Sequence, residues 1–282
     1  MLFSRDRRDG VYLRRLAPYK KFIPWIMPRI NDAVIYYKMQ ADLSITLPFI
    51  QTVNGRGEHI TLFQLLIAAL LRTGVEIPEL NRFVSGFRIY ERKGYSTSFT
   101  LKTDSGDATA RVCLKKADTV EEISQKILEK TDKARQKSNK PQKDIFDFIQ
   151  HLPRFIIRFV MWLWRVLDHY DLLPSFIMEM APMYCSVYVA NLGYYGIDAP
   201  FHHLFEYGNV SLFVTLGQIH KEYVTTTEQT LELREVVNLG ITLDERIVSG
   251  AISAKAVTRL KELIENPSLL EQPPMEEDDG GN

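Results

Sequence analysis

The chain lacks most of the features by which a sequence announces its function. It holds two cysteines in 282 residues, too few for a disulfide framework or a cysteine-built metal cluster. Its 35 basic residues are balanced by 35 acidic ones, so no net field draws nucleic acid or an anionic surface, and neither is expected as a partner. No apolar run reaches the ~20 residues needed to cross a bilayer, so a membrane partner is not expected either. The segment Met1 to Gly10 carries charges where an export signal needs an apolar stretch, which makes the expected location cytoplasmic. There is no glycine-rich phosphate loop, no Gly-x-Ser-x-Gly elbow, no zinc-ligand spacing and no internal repeat. Asn54-Gly-Arg-Gly57 reads as a turn.

What is present reads as one α/β domain over residues 1–272, followed by an acidic, glycine-rich tail, 273–282, that is expected to stay disordered. Apolar and polar residues alternate through Ala33 to Thr46, predicting a strand. Leu62, Leu65, Leu66, Ala69 and Leu70 have helical spacing, and Gly74 is expected to close that helix. Phe87 to Thr103, centred on Lys93-Gly94, reads as a hairpin, followed by a strand from Thr109. Thr119-Val-Glu-Glu122 has capping-box spacing and opens a second long helix that ends in a basic stretch, Lys133 to Lys143. Strands are predicted at Cys185–Asn191, Ser211–Ile219 and Thr230–Leu243, and a last helix over about 250–265, with Ile252, Val257, Leu260 and Leu263 inward. Both Cys113 and Cys185 fall in strand-like runs and are expected to be buried thiols.

Residues 144–183 stand apart. Polar residues recur at 147, 150, 151, 154, 158, 165, 168 and 169, a narrow stripe of helical period broken at Pro153, and nearly everything between is Phe, Ile, Val, Trp, Met or Leu. Such a helix is expected to bury most of its circumference, in the core or in an oligomer interface. The other reading is an interfacial membrane or partner-binding helix. Arg158 and Arg165 argue against a span.

Four short motifs then occur in order: Pro78-Glu-Leu-Asn81, Val189-Ala-Asn-Leu-Gly193, Asp244-Glu-Arg-Ile-Val-Ser-Gly250 and Leu263-Ile-Glu-Asn-Pro267. Together they resemble the catalytic domain of the 2-oxo acid dehydrogenase acyltransferases, relatives of chloramphenicol acetyltransferase, over about residues 20–140 and 184–270. Residues 144–183 look like an insertion, and nothing resembles a lipoyl domain, a lipoyl attachment site or a subunit-binding domain. The resemblance implies a chloramphenicol acetyltransferase-like fold, a mixed β-sheet sandwiched by α-helices. It also implies a homotrimer with active sites in channels between subunits, coenzyme A or acyl-CoA as cofactor, a small-molecule acyl acceptor, and no metal.

In that family the third motif reads Asp-His-Arg-x-x-Asp-Gly, and its histidine is the general base. Here the histidine position is Glu245 and the second aspartate position is Ser249. A carboxylate with a pKa near ~4.3 is a poor match for a thiol near ~8.5. The family's oxyanion donor is a serine or threonine just before Asn-Leu-Gly, and here that place is Ala190, which has no hydroxyl. The resemblance therefore implies a pseudoenzyme, or an active enzyme rearranged around Glu245 or around His202 and His203, which follow the Asn191-Leu-Gly193 strand end. Half a metal site at the two histidines has no third ligand in any recognisable spacing. A third reading makes the 144–183 insertion an interaction or scaffold module. Asn191, Gly193, Asp244, Arg246 and Gly250 are the retained signature; Asp244 and Arg246 are expected to buttress the turn, Ser249 to cap the last helix, and Gly250 to fit a tight corner.

Overall fold

Six strands form a mixed sheet in the order β2-β9-β8-β7-β5-β6. In chain order the strands are β1 Gly10–Tyr12, β2 Val34–Asp42, β3 Arg82–Ser85, β4 Arg88–Arg92, β5 Tyr95–Thr103, β6 Gly106–Leu114, β7 Val187–Asn191, β8 Leu212–Thr225 and β9 Leu231–Asp244. Only β7 runs parallel to its neighbours, β5 and β8; the other pairings are antiparallel. A smaller sheet, β1-β4-β3, stands beside it. The helices are α1 Pro18–Ile26, α2 Thr46–Gly55, α3 Leu62–Glu76, α4 Val120–Gln136, α5 Arg154–His169, α6 Ser175–Met180 and α7 Gly250–Glu265. This computed structural model describes residues 6–103, 106–136, 151–225 and 229–271. The basic stretch beyond 136, the first residues of the 144–183 block and the tail 273–282 lie outside the described residues.

The alternation of each strand decides which layer it feeds. Val187 and Val189 of β7, with Leu212, Val214 and Leu216 of β8, face the main core shared with α3, α4 and α7. Tyr188 and Ala190, with Phe213, face the opposite side and pack with Cys185, Leu204 and Val210. The inward positions expected of α7 hold: Leu260 and Leu263 are buried, and Ile252 and Val257 pack against the same core. Both expected capping residues act at α4, where Thr119 N–H donates to Glu122 at 3.0 Å and Glu122 N–H donates to Thr119 Oγ1 at 3.3 Å.

Several expectations fail for identifiable reasons. Lys93-Gly94 is not a hairpin turn: β4 belongs to the small sheet and β5 to the large one, so the chain changes sheets there. The tight hairpin is β3–β4, in which Ser85 pairs with Arg88 across Gly86 and Phe87, both at positive φ (56° and 59°). Phenylalanine is a poor predictor of that conformation. Gly74 does not close α3, which runs on to Glu76; the Tyr95 ring lies beside Gly74, with Tyr95 Oη donating to Gly74 O at 3.2 Å. The strand expected through Thr46 ends as β2 at Asp42, and Thr46 opens α2. Cys113 is exposed, on the outer face of edge strand β6, while Cys185 is buried and burial pushes its thiol up.

The largest departure is α5. None of its residues is buried. Trp164 and Leu167 lean on a small cluster around Leu173, Met178 and Tyr184, but Phe155, Phe159, Val160, Trp162 and Leu163 are exposed. The helix is held at its C-terminal end by Arg7, which donates to Asp168 O at 2.6 Å, Asp168 Oδ1 at 3.0 Å, Ser85 Oγ at 2.7 Å and Asp9 Oδ1 at 2.9 Å. Burial opposes charge on Arg7, but Asp9 and Asp168 outweigh it and hold the guanidinium above its ordinary value.

Candidate functional site

The signature segment forms the corner between β9 and α7. Asp244, the last residue of β9, is fully buried (0% exposed) and accepts from Arg246 N at 3.0 Å, Arg246 Nε at 2.8 Å and Arg246 Nη2 at 2.8 Å. Arg246, 6% exposed, spends its remaining fork on Met27 O at 3.1 Å. Two backbone bonds complete the tether: Asp244 N–H to Ser211 O at 3.0 Å and Glu245 N–H to Ala33 O at 2.8 Å. The corner is thus tied to β2, to the segment before β8 and to the chain after α1. Ser249 occupies the N-cap position of α7 with extended dihedrals but makes no side-chain cap bond, and Gly250 has open space where a Cβ would stand. Neither the expected cap nor a steric demand for glycine is found at those two positions.

Glu245 is half-buried, and its carboxylate has no hydrogen-bond or ion-pair partner among the described residues. Ala190 sits on β7 beside Thr215, which in turn lies beside Gly240 on β9, five residues before Glu245. With strands ~4.8 Å apart and a rise of ~3.3 Å per residue, the two positions stand on the order of 20 Å apart within one chain. His202 stacks flat on Phe213 (centroids 4.1 Å apart, planes 8°) and its Nδ1 contacts His203 O at 2.7 Å. Phe213 lies opposite Thr242, which puts His202 on the order of 10 Å from the corner. His203 is exposed. The sequence-predicted residues therefore occupy three separate places: the corner, the strand bearing Ala190, and the crossing segment bearing the histidines.

That crossing segment depends on glycines. Residues 193–201 run over the sheet so closely that a Cβ on Gly193 would meet Gly217 O at 2.4 Å, one on Gly217 would meet Asp198 Oδ1 at 2.6 Å, and one on Gly240 would meet Pro200 O at 2.5 Å. Thr215 Oγ1 donates to Pro200 O at 2.6 Å and Asn238 Nδ2 to Asp198 Oδ2 at 3.0 Å, fastening the strap across β8 and β9. Thr215, the hydroxyl nearest Ala190 in register, is committed to this bond. Ser211 is buried and bonded to Asn209 O at 3.4 Å, and Ser186 accepts from Ser96 N–H at 3.1 Å.

A cleft of about 300 Å³ opens on the corner from the side of α5. Asp244 and Arg246 line it together with Phe87 of the hairpin, Arg165 and His169 of α5, and Glu206. Glu245, Ala190, His202 and His203 do not. His169 and Arg165 entered the sequence reading as polar positions on a helix, Arg165 also as an argument against a span; the tether of the neighbouring Asp168 to Arg7 brings both to the cleft, which no sequence signal foretells. A second cavity, about 50 Å³, lies between α3, α7 and the sheet and is almost wholly apolar, smaller than cavities of ~150 Å³ that accept benzene. Among the described residues no three His, Cys, Asp or Glu side chains gather as a metal site.

The motifs of this half of the chain have counterparts elsewhere. Residues 185–271 match the family 2-oxoacid dehydrogenases acyltransferase (catalytic domain). Over those residues the chain is similar to that domain. The fold agrees over nearly its whole length. The dihydrolipoamide acetyltransferase of Azotobacter vinelandii superposes with a TM-score of 0.61 at 15% identity, covering 90% of this chain and 88% of that one; a serine, a histidine and an asparagine figure in its catalytic mechanism, the last two four positions apart. The cubic core of a pyruvate dehydrogenase multienzyme complex gives 0.59 at 13% identity, covering 92% and 94%. Chloramphenicol acetyltransferase gives 0.52 at 10% identity, covering 88% and 96%, so the chloramphenicol acetyltransferase-like α/β fold with a mixed sheet is the one observed. Curated proteins give no match.

Proposed function

We propose that this relative of the acyltransferases has lost, or greatly reduced, coenzyme A-dependent acyl transfer and acts as a homotrimeric binding or regulatory subunit. The observation that carries the reading is the joint replacement at Glu245 and Ala190. In the Azotobacter relative a histidine and an asparagine stand four positions apart; by the motif resemblance, Glu245 and Ser249 hold the corresponding positions here. Loss of one oxyanion donor typically costs ~10²–10³ in rate and loss of a general base another ~10²–10⁴, so both together leave little of the inherited mechanism.

The separation of Glu245 from Ala190 supports assembly, since two positions on the order of 20 Å apart in one chain can face each other only across copies. Within one chain the residues do not fit coenzyme A. The cleft is at the small end of ligand sites, ~300–1,000 Å³, and Asp168 and Glu206 set acids beside Arg165 where a phosphate-bearing ligand needs cations. Coenzyme A or acyl-CoA remains the ligand class to which the family relation points, at a site shared between copies.

An active enzyme rearranged around Glu245, His202 or His203 is the second reading. It is favoured by the accessibility of His203 and by a Glu245 carboxylate that no packing duty occupies.

The readings separate in an assay of acetyl-CoA thioester consumption with dihydrolipoamide and small-molecule acceptors. The expected wild-type rate is at or only slightly above the uncatalysed one, and Glu245→His combined with Ala190→Ser raises it. Robust wild-type turnover that Glu245→Ala or His203→Ala abolishes overturns the proposal.

A further inference from the structure

Although the chain as a whole is neutral, its positive charge is not evenly spread. Residues 11–29 contain Arg14, Arg15, Lys20, Lys21 and Arg29 and no acid; residues 154–167 contain Arg154, Arg158 and Arg165 and no acid. Each stretch also bears an exposed apolar face. On α1, Phe22, Trp25 (59% exposed) and Ile26 are open to solvent. On α5, Phe155 (72% exposed), Phe159 and Trp162 (57% exposed) follow one another at helical spacing, and Arg154 and Arg158 stand one position before Phe155 and Phe159, along the flank of the same stripe. The two helices are linked by rings: Trp25 stacks on Phe87 at 4.4 Å, and Phe87 meets the edge of His169, the last residue of α5, at 5.9 Å.

We propose that α1 and α5 together form a docking surface for an anionic lipid bilayer, with both helices lying in the plane of the interface. At 16 residues α5 is about 24 Å long, short of the ~30 Å hydrocarbon core, and no helix among the described residues is long and apolar enough to cross a membrane. Aromatic rings on the buried face with arginines on its flank suit the boundary between acyl chains and headgroups, where the guanidiniums reach the phosphates. Charge complementarity argues for this occupant: Arg14 pairs with Asp6 and Arg165 turns to the cleft, but Arg154 and Arg158 line the exposed stripe of α5 in a run with no acid between 154 and 167, and an anionic leaflet supplies the opposite charge over the whole face.

The test is co-sedimentation of the full chain with phosphatidylcholine vesicles, with and without phosphatidylserine, alongside sedimentation velocity for the oligomeric state. Binding is expected only with phosphatidylserine, together with a blue shift of tryptophan emission. Phe159→Glu with Trp162→Glu abolishes it. Arg154→Gln with Arg158→Gln weakens it by about fivefold per arginine, on the order of 25-fold for the pair, at ~1 kcal/mol per basic residue. All four positions are exposed, and circular dichroism verifies that the variants fold. Failure to bind phosphatidylserine vesicles overturns the proposal, as does equal binding to neutral ones. A glutamate variant that dissociates an oligomer formed by the wild type assigns the face to a second copy and overturns it too.

Discussion

If the corner is held by the Asp244–Arg246 pair and not by chemistry at Glu245, breaking the pair must unfold the protein more readily, while removing both charges must not. Asp244→Asn leaves a guanidinium at 6% exposure with two of its three bonded nitrogens facing an amide in place of a carboxylate. Arg246→Met leaves a fully buried carboxylate with a single backbone donor, residue 246 N–H. Stripping one partner from a buried ion pair costs about 3–5 kcal/mol, because the other charge stays desolvated. For a chain of this size that is roughly a 6–20 °C fall in melting temperature, at ~2–4 °C per kcal/mol. The double variant removes both charges, and the asparagine oxygen still accepts the backbone N–H of residue 246. Its cost is expected at about 1–3 kcal/mol, far below the sum of the two singles. Differential scanning calorimetry at one fixed protein concentration measures all three. A double variant whose loss equals that sum refutes the coupling, and single variants within ~1 kcal/mol of wild type refute the buttress.

Two further outcomes follow from the same structure. Gly240→Ala puts a Cβ 2.5 Å from Pro200 O and 2.6 Å from Thr215 Oγ1, so overpacking and loss of the Thr215–Pro200 bond should together cost about 2–4 kcal/mol and expose residues 193–201 to protease. Gly250→Ala, which meets nothing, is the control, and equal melting temperatures for the two variants would sink the strap. Burial alone would raise the Asp42 carboxyl, but hydrogen bonds from Ser44 and Arg234 outweigh it and hold its pKa below the usual value. A lowered carboxylate pKa stabilises above the unfolded value and is lost as pH falls through the folded one, so Asp42→Asn should flatten the acid loss of stability below about pH 4. An unchanged pH profile between pH 4 and 2 contradicts this.

Elements whose side chains face water on one side and core on the other were legible in the sequence: β2, α4 and α7 each carry the period of the surface they bury, and α3, buried over most of its length, was legible from the helical spacing of its leucines. The exceptions are places where local pattern and tertiary partner disagree. Lys93-Gly94 has turn chemistry, but which sheet accepts each flanking strand is settled by β1 and β3, whose pairing with β4 local pattern does not encode. The polar stripe of α5 suggested nearly all-round burial; its apolar residues outnumber the surface the fold offers, and half the circumference is left in solvent. The site was legible as motifs and not as a place. Spacing located Asp244, Glu245 and Arg246 correctly on one corner, but a period-based reading has no access to the register that sets Ala190 two strands away, or to the cleft residues His169 and Arg165 contributed by α5.

The residues kept and those replaced differ in what else depends on them. Among the described residues Asp244 and Arg246 are each other's only charged partner, and Gly193 lies where any Cβ would strike Gly217 O; changing any of these disturbs the fold. Glu245 has no side-chain partner, and Ala190 is partly buried on an outward position of β7. Nothing in the architecture asks for histidine at the first or a hydroxyl at the second; those demands come only from acyl transfer. A protein that continued to need the fold, but ceased to need the transfer, would be free to change these two positions and not the others. Separation on the order of 20 Å within the chain makes the point sharper. No shared local rearrangement links the two positions, so on the proposed reading each departs from the family motif independently, and what the two have in common on that reading is the reaction.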